Sequence, residues 1–338
     1  RMGRAVGLMA AGQNRDGDIV CATFQSISAK LRSKPEATQR WLGKFDLLIV
    51  DEAHHLVAES YQAIVDKVPA YFRFAFSATP FKSKGTTGDN RDEAAELHVI
   101  GSCGPVLHEF KAGDLVQEGY LTPAHIVMRN WRKPTIWPTW KLERIDYDLN
   151  DDYYDYTGRK AKNGRAGRDG LYKLAIIEND DRNDAIVREV ADLVAKGLPT
   201  LVLVDKVSHG DILKARLRTH FDSNKAVDFI SGRDPNPRRK EKLAALADGT
   251  LPVLIASTIV DEGVDVPAIG ALVFAGAQKA QHKYIQRIGR GMRLAEGKHE
   301  LEVRDFYDTH SKLMWMHSEK RRKAYESDPA GYRVEVKA

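Results

Sequence analysis

The strongest constraint on the fold is a series of short, almost wholly apolar runs separated by stretches with a helical repeat. Residues 200–204, 227–231, 253–257, 271–275 and 301–307 are runs of this kind, rich in Val, Ile, Leu and Phe. Such runs lack the alternation of a half-solvated strand, so they predict strands covered on both faces, the habit of parallel sheets flanked by helices. Between them, residues 184–196 place Ile186, Val190, Leu193 and Val194 on one helical face, with Gly197 just past the end. Residues 212–221 carry Leu213, Leu217 and Phe221 at i, i+4 and i+8. Pro237 and Gly249 bracket a third helix, and 279–290 predicts a fourth that stops at Gly291. The first half repeats the scheme, with strands expected at 5–10, 18–23, 46–51 and 73–77, each covered on both faces. The runs at 106–110 and 122–128 would close that half around a helix at 113–118.

This alternation predicts an α/β protein with mainly parallel sheets. A chain of 338 residues has room for two such lobes. They are expected at 1–128 and 179–310. Residues 129–178, rich in Trp, Tyr, Pro and charge without a sustained period, read as linker and insertion. Trp131, Trp137, Trp140, Tyr153, Tyr154 and Tyr156 there suit packing of the linker better than stacking on bases. Residues 311–338, with Lys320-Arg321-Arg322-Lys323, read as a basic tail whose helix frays.

Bulk composition excludes several classes. No apolar run approaches the roughly 20 residues of a membrane span, and the two cysteines, Cys21 and Cys103, have neither zinc-site nor disulfide-framework spacing. A reducing, cytoplasmic setting without a membrane is expected. The net charge of +5 and a pI near 9.0 lean towards a polyanionic partner. Residues 157–173 alone carry +5, against −4 on residues 141–156. These two segments pair with each other, or the basic one touches phosphates.

Four strings carry chemistry. Asp51-Glu52-Ala53-His54 follows the run Leu47-Leu48-Ile49-Val50. A carboxylate at such a strand end can hold Mg²⁺ through its water shell, here Asp51. A second, Glu52, can orient and deprotonate an attacking water. Ser77-Ala78-Thr79-Pro80 ends the next strand, which brings the Ser77 and Thr79 hydroxyls to the same sheet edge, where open parallel sheets bind ligands. Ser257-Thr258, with Gly263 and Asp265 after them, offers hydroxyls and amides for a phosphate of nucleotide or nucleic-acid backbone, and Asp265 a carboxylate for a ribose hydroxyl. Gln286, Arg290 and Arg293 stand at i, i+4 and i+7 on one helix face, where guanidiniums can clamp a γ-phosphate.

In this order and at these strand ends, the strings resemble motifs II, III, V and VI of superfamily 2 DEAH-box helicases, in the group of phage helicases, type III restriction subunits and XPB-like proteins. Residues 200–213, 229–239 and 115–123 resemble further segments of that group. The resemblance implies two RecA-like lobes with ATP and Mg²⁺ between them, and His54 linking the acidic strand end to the other lobe. It implies contacts to DNA, or RNA, from Thr23, Gln25, Gly232, Arg238, Ser257 and Thr258. A nuclease or a replication or recombination protein is the expected partner, in the cytoplasm of a bacterium or a phage-infected cell. The family's phosphate-binding loop, G-x-x-x-x-G-K-[S/T], does not occur in these residues. The first lobe is therefore expected to be N-terminally truncated, with the cradle upstream of residue 4. The alternatives are the motor subunit of a restriction or defence complex, and a catalytically silent scaffold that binds nucleic acid.

Overall fold

The computed structural model describes residues 5–10, 12–77, 93–131, 165–257, 269–278 and 281–337. The chain divides into two compact units, residues 1–109 and 110–338.

In the second unit, seven strands form one sheet in which every ladder is parallel. They are β6 (Ala124–Arg129), β7 (Thr200–Leu203), β8 (Val227–Ile230), β9 (Val253–Ala256), β10 (Ala271–Phe274), β11 (Leu301–Phe306) and β12 (Tyr332–Lys337), in the spatial order β12-β6-β11-β10-β7-β9-β8. Three adjacent inner strands, β10, β7 and β9, are buried at every position. Their side chains alternate between two cores. Leu201, Leu203, Leu254, Leu272 and Phe274 pack with Leu243, Leu246, Tyr284 and Ile288 on one face. Val202, Ile255 and Val273 pack with Ile186, Val190, Leu193, Leu213 and Leu217 on the other. A strand covered twice has no solvent face to keep polar, which is why these segments read as unbroken apolar runs.

The helices of this unit, numbered after four in the first, are α5 (Ala112–Gln117), α6 (Arg165–Tyr172), α7 (Asp180–Ala195), α8 (Val207–His220), α9 (Asn236–Ala247), α10 (Gln281–Gly291) and α11 (Lys312–Glu326). A π-helical turn, Lys173–Ile177, extends α6. Asn179 caps α7 by accepting from the Arg182 amide, and Gly197 takes the left-handed conformation expected beyond its end (φ +74°).

Two fully buried ion pairs tie the sheet's ends together. Arg182 donates to Asp308 at 2.8 Å and to the carbonyls of Ala275 and Gly276, so one guanidinium joins the segments that follow β10 and β11. Arg321 on α11 donates to Asp305 on β11, also at 2.8 Å. Breaking such a pair leaves an uncompensated buried charge, a loss of about 3–5 kcal/mol.

These contacts correct three expectations. Residues 124–129 belong to the second unit's sheet, between β11 and β12, so the first unit ends near residue 109 rather than 128. The stretch 129–178 is no simple linker: Trp131 is buried and donates to Asp308 at 2.6 Å, and Leu171, Ala175 and Ile176 form a small core with Met314. The other aromatic residues singled out there, and residues 157–164 of the basic segment, lie outside the described residues. The tail is not a fraying cation either. Arg321 is buried on Asp305, Arg322 pairs with Glu319 and Glu326, and the chain goes on into an edge strand.

The first unit contains two small sheets. β1 (Val6–Ala10) pairs antiparallel with β2 (Gln13–Arg15) and parallel with β3 (Ile19–Ala22). β4 (Leu47–Val50) and β5 (Phe72–Ala75) form a parallel pair. Around them stand α1 (Phe24–Ser33), α2 (Pro35–Leu42), a 3₁₀ turn (Ala53–Val57), α3 (Glu59–Val65) and α4 (Glu93–Cys103). The strands were expected to be covered on both faces, and they are not. Val6, Ile19, Leu47, Ile49, Phe72, Phe74 and Phe76 are all exposed, Ile49 at 58% and Phe76 at 60%. The packed side of the β4–β5 pair rests on two small clusters, Val50, Ala53, Leu56, Val65 and Val99 in one and Leu42, Val68 and Ala70 in the other, with Leu48 touching both. Residues 106–110 form no strand, and Val106, Leu107 and Phe110 are exposed.

Candidate active site and nucleic-acid contacts

At the carboxyl end of β4 the backbone turns sharply. Glu52 has φ 52° and ψ 50°, a left-handed conformation that costs a residue with a Cβ about 1 kcal/mol or more. The turn is held from both sides. The Glu52 amide donates to Asp51 Oδ1 at 2.9 Å, and the Ala53 amide donates to the Phe76 carbonyl at 2.9 Å, just beyond β5. Asp51 is left exposed and Glu52 half-buried. The His54 ring sits between Glu52 and Ser77: its Nδ1 is 3.2 Å from Glu52 Oε2 and 3.3 Å from Ser77 Oγ. The parallel register of β4 and β5 brings these side chains together, since Val50 pairs with Ala75. Thr79 lies outside the described residues.

Sequence reasoning missed what lies behind this turn. The His54 and His55 rings are 4.2 Å apart, and His55 stacks on Tyr61 at 5.5 Å. Tyr61 packs against Phe24 at 4.4 Å, and its hydroxyl accepts from Gln25 Nε2 at 3.4 Å. Thr23 caps α1 by accepting from the Ser26 amide. Exposed Thr23 and Gln25 are thus joined to the acidic turn by a continuous stack of rings. No pattern in the sequence announced it, since Phe24, His55 and Tyr61 come from separate elements.

In the second unit, α10 has two distinct faces. Tyr284, Arg287, Ile288 and Gly291 are buried, whereas Gln286, Gly289 and Arg290 are half-exposed and Arg293, past the helix end, is exposed. The Arg287 guanidinium lies over the Tyr284 ring at 5.9 Å, and that of Arg321 lies over it at 5.1 Å. The helix end is pinned. The Met292 carbonyl accepts from both the amide and the hydroxyl of Thr122, at 2.8 and 2.9 Å, and the Lys298 ammonium donates to the carbonyls of Gly291 and Arg293. Burial pushes the Lys298 ammonium down to about 8. A Cβ added at Gly291 would come within 2.9 Å of Leu301 and 3.1 Å of Leu272, so that glycine is required by packing. At Gly289 an added Cβ meets no atom within 4 Å.

The other nominated residues gather elsewhere. Gly232 is exposed in a turn after β8, where the Ser231 amide and hydroxyl donate to Asp234. Arg238 pairs with Asp234 at 3.4 Å and stays exposed. Ser257, buried after β9, donates its amide to the Ile230 carbonyl at 3.1 Å. These three lie at the carboxyl edge of the seven-stranded sheet. The arginine end of α10 meets the starts of β6, β10 and β11 at the opposite edge. The structure therefore does not bring Arg290 and Arg293 together with Gly232, Arg238 and Ser257. Thr258, Gly263 and Asp265 lie outside the described residues. Among the described residues, no helix is long and apolar enough to cross a membrane.

Comparison with known proteins agrees with this layout. The family described as type III restriction enzyme, res subunit, matches residues 5–82, and the helicase conserved C-terminal domain matches residues 181–295. A helicase of Sulfolobus islandicus filamentous virus is 27% identical over 283 residues, 84% of this chain and 46% of its own. The DNA 3'-5' translocase XPB2 of Sulfurisphaera tokodaii is 24% identical over 310 residues, 85% of this chain and 63% of its own. The chain thus spans about half the length of the curated relatives it matches. Among solved structures, a fragment of an HsdR subunit of a type I restriction enzyme from Vibrio vulnificus YJ016 superposes with a TM-score of 0.62 at 17% identity, covering 99% of this chain and 55% of that one, which shows the shared fold. With the res-subunit match in its first unit, the helicase C-terminal match in its second and relatives that cover most of its length, the chain belongs to the superfamily 2 helicases, in the group of type III restriction subunits and XPB-like proteins.

Proposed function

We propose that this chain is part of an ATP-dependent DNA translocase or helicase. The observation that carries the reading is the left-handed Glu52 at the end of β4, tethered to Asp51 and His54. Strain of this kind, held by neighbours on both sides, fits a carboxylate kept in place for a task. In this reading Asp51 carries Mg²⁺ through water and Glu52 takes the proton of the attacking water. His54 and Ser77 hold Glu52 in position, with Thr79, Gly263 and Asp265 completing the nucleotide's surroundings. Gln286, Arg290 and Arg293 stabilise charge on the transferred phosphoryl group.

The half-exposed Gly289 supports the role of that helix face. A helical glycine costs about 0.5–1 kcal/mol relative to Ala, and among the described residues of the second unit no packing calls for it. Thr23, Gln25, Gly232, Arg238, Ser257 and Thr258 would meet mainly phosphates, so binding would depend weakly on sequence and strongly on salt. DNA is favoured over RNA by the relatives named as DNA translocases and helicases. A restriction or defence complex, with a nuclease as partner, is the second reading, favoured by the res-subunit match over residues 5–82. Either reading fits the cytoplasm of a bacterium or an infected cell.

Hydrolysis also needs a phosphate cradle from outside these 338 residues, because no G-x-x-x-x-G-K-[S/T] string occurs within them. The test is ATP turnover with and without DNA, for the 338 residues alone and joined to a segment bearing that loop. The joined form should turn over ATP faster with DNA. Its Glu52→Gln variant should still bind nucleotide while losing turnover by about 100-fold or more. DNA-stimulated turnover by the 338 residues alone would overturn the account of the cradle, and full activity in Glu52→Gln would overturn the role of Glu52.

A further inference from the structure

The outer strands of the seven-stranded sheet carry a cluster of side chains that the chemistry above does not use. His125 lies on β6 between β11 and β12, opposite Glu302 on one side and Arg333 on the other. It is 8% exposed. Its Nδ1 is 3.2 Å from Glu302 Oε1, and its Nε2 is 3.3 Å from Glu335 Oε1. Nε2 is buried, and the Glu335 contact lacks the alignment of a hydrogen bond, so this nitrogen's hydrogen-bonding capacity is unmet. Glu300, just before β11, adds another carboxylate. One ligand atom from each of His125, Glu300 and Glu302 lies within 4.8 Å of the other two.

We propose that His125, Glu300 and Glu302 form a binding site for one divalent transition-metal ion of the zinc class. Two ligands bound tetrahedrally at about 2.0–2.1 Å stand about 3.3 Å apart, which matches the separation of Nδ1 and Glu302 Oε1. The two oxygens of Glu302 are already divided. Oε2 accepts from Arg304 at 2.6 Å, and Oε1 faces the imidazole. With the ion on Nδ1, the ring proton sits on Nε2 and Glu335 becomes its acceptor, the carboxylate partner that ligating histidines usually have. The competitor is Arg333, which holds Glu300 at 3.2 Å and is itself 58% exposed, so it can swing into solvent when the ion arrives. Imidazole with two carboxylates suits zinc, cobalt or nickel better than magnesium or calcium. The ion would fasten β11 to β6, with β12 held through Glu335.

The test is titration of the chelator-treated protein with Co²⁺, read by visible absorption, and with Zn²⁺, read by calorimetry and thermal melting. Wild type should bind one equivalent of each, and zinc should raise its melting temperature. Glu300→Gln should lose this binding. Glu335→Gln should weaken it about 10-fold. Arg333→Ala, which removes the competing cation, should tighten it. Since His125→Asn alters a buried strand and can unfold it, the partly exposed Glu300 and Arg333 decide the matter. No stoichiometric binding by wild type, equal binding by Glu300→Gln, or no gain in Arg333→Ala would each overturn the site. Because the readout is metal binding, failure here leaves the proposed ATP chemistry untouched, and the reverse also holds.

Discussion

The two units are written in the same sequence idiom and folded to different degrees of closure. Leu47–Val50 in the first and Val253–Ala256 in the second are both four-residue apolar runs, yet the first has one buried position and the second has four. The difference lies in their neighbours. β9 has a strand on each side and helices over both faces, whereas β4 has one ladder partner in a two-stranded sheet. An apolar run declares what a strand can tolerate, and its neighbours decide whether the burial is realised.

The largest expected effect follows directly. Hydrogen exchange in the 338-residue chain should separate the units by several kcal/mol of opening free energy, with amides of Leu201–Leu203, Leu254–Ala256 and Leu272–Phe274 exchanging only through global unfolding. Amides of β1, β4 and β5 should exchange through local opening, and the exposed apolar strands should bind a hydrophobic dye. Equal protection in the two units would break the comparison, because it would mean that ladder number and double coverage do not govern their stability.

The limits of the sequence reading have the same origin. β7, β9 and β10 were legible because unbroken apolar runs have few other uses, and the helices between them because their faces repeat at 3.6. β12 was not. Tyr332–Lys337 is an edge strand with one packed face, so its sequence, YRVEVK, alternates and carries charge. Beside Lys320-Arg321-Arg322-Lys323 that alternation passed for a polar tail, although Tyr332 and Val334 both face the core. Arg321 and Arg182 were hidden for another reason: arginine is almost never fully buried without a partner, and their partners Asp305 and Asp308 stand on or just after another element, 16 and 126 residues away. At the candidate site, Asp51, Glu52, Ser77 and Gln286 were visible as motif residues. The His55–Tyr61–Phe24 stack was not, since rings in contact across helices leave no fixed spacing in the sequence.

A second effect, of intermediate size, belongs to the second unit alone. His209 on α8 is buried, with Nε2 2.8 Å from the Asn183 side-chain oxygen on α7. Burial, reinforced by the nearby Arg182 guanidinium, pushes its imidazole down from 6.5 to about 3. Between those values an unfolded chain takes up a proton that the folded chain refuses. The stability that neutral His209 contributes is therefore complete above about pH 6.5 and falls as the pH drops towards 3, by up to about 1.4 kcal/mol per pH unit. Denaturant melts of the second unit at pH 7, 6 and 5 should show this slope, and His209→Gln should flatten it. An unchanged slope in that variant would assign the acid sensitivity to other groups.

The smallest effect separates stability from function at a single position. Gly289 sits on the half-exposed face of α10, and an added Cβ there meets no atom within 4 Å. Gly289→Ala should therefore stabilise the second unit by about 0.5–1 kcal/mol, since alanine loses less backbone freedom in a helix. In the proposed motor the same change should cost activity, because the methyl group enters the face that Gln286 and Arg290 present to the nucleotide. Gly291, two residues on, is the internal control: a Cβ there approaches Leu301 at 2.9 Å, so Gly291→Ala should destabilise instead. If Gly289→Ala stabilised the fold and left DNA-stimulated turnover intact, the open face of α10 would have no part in catalysis, and the glycine would need another explanation.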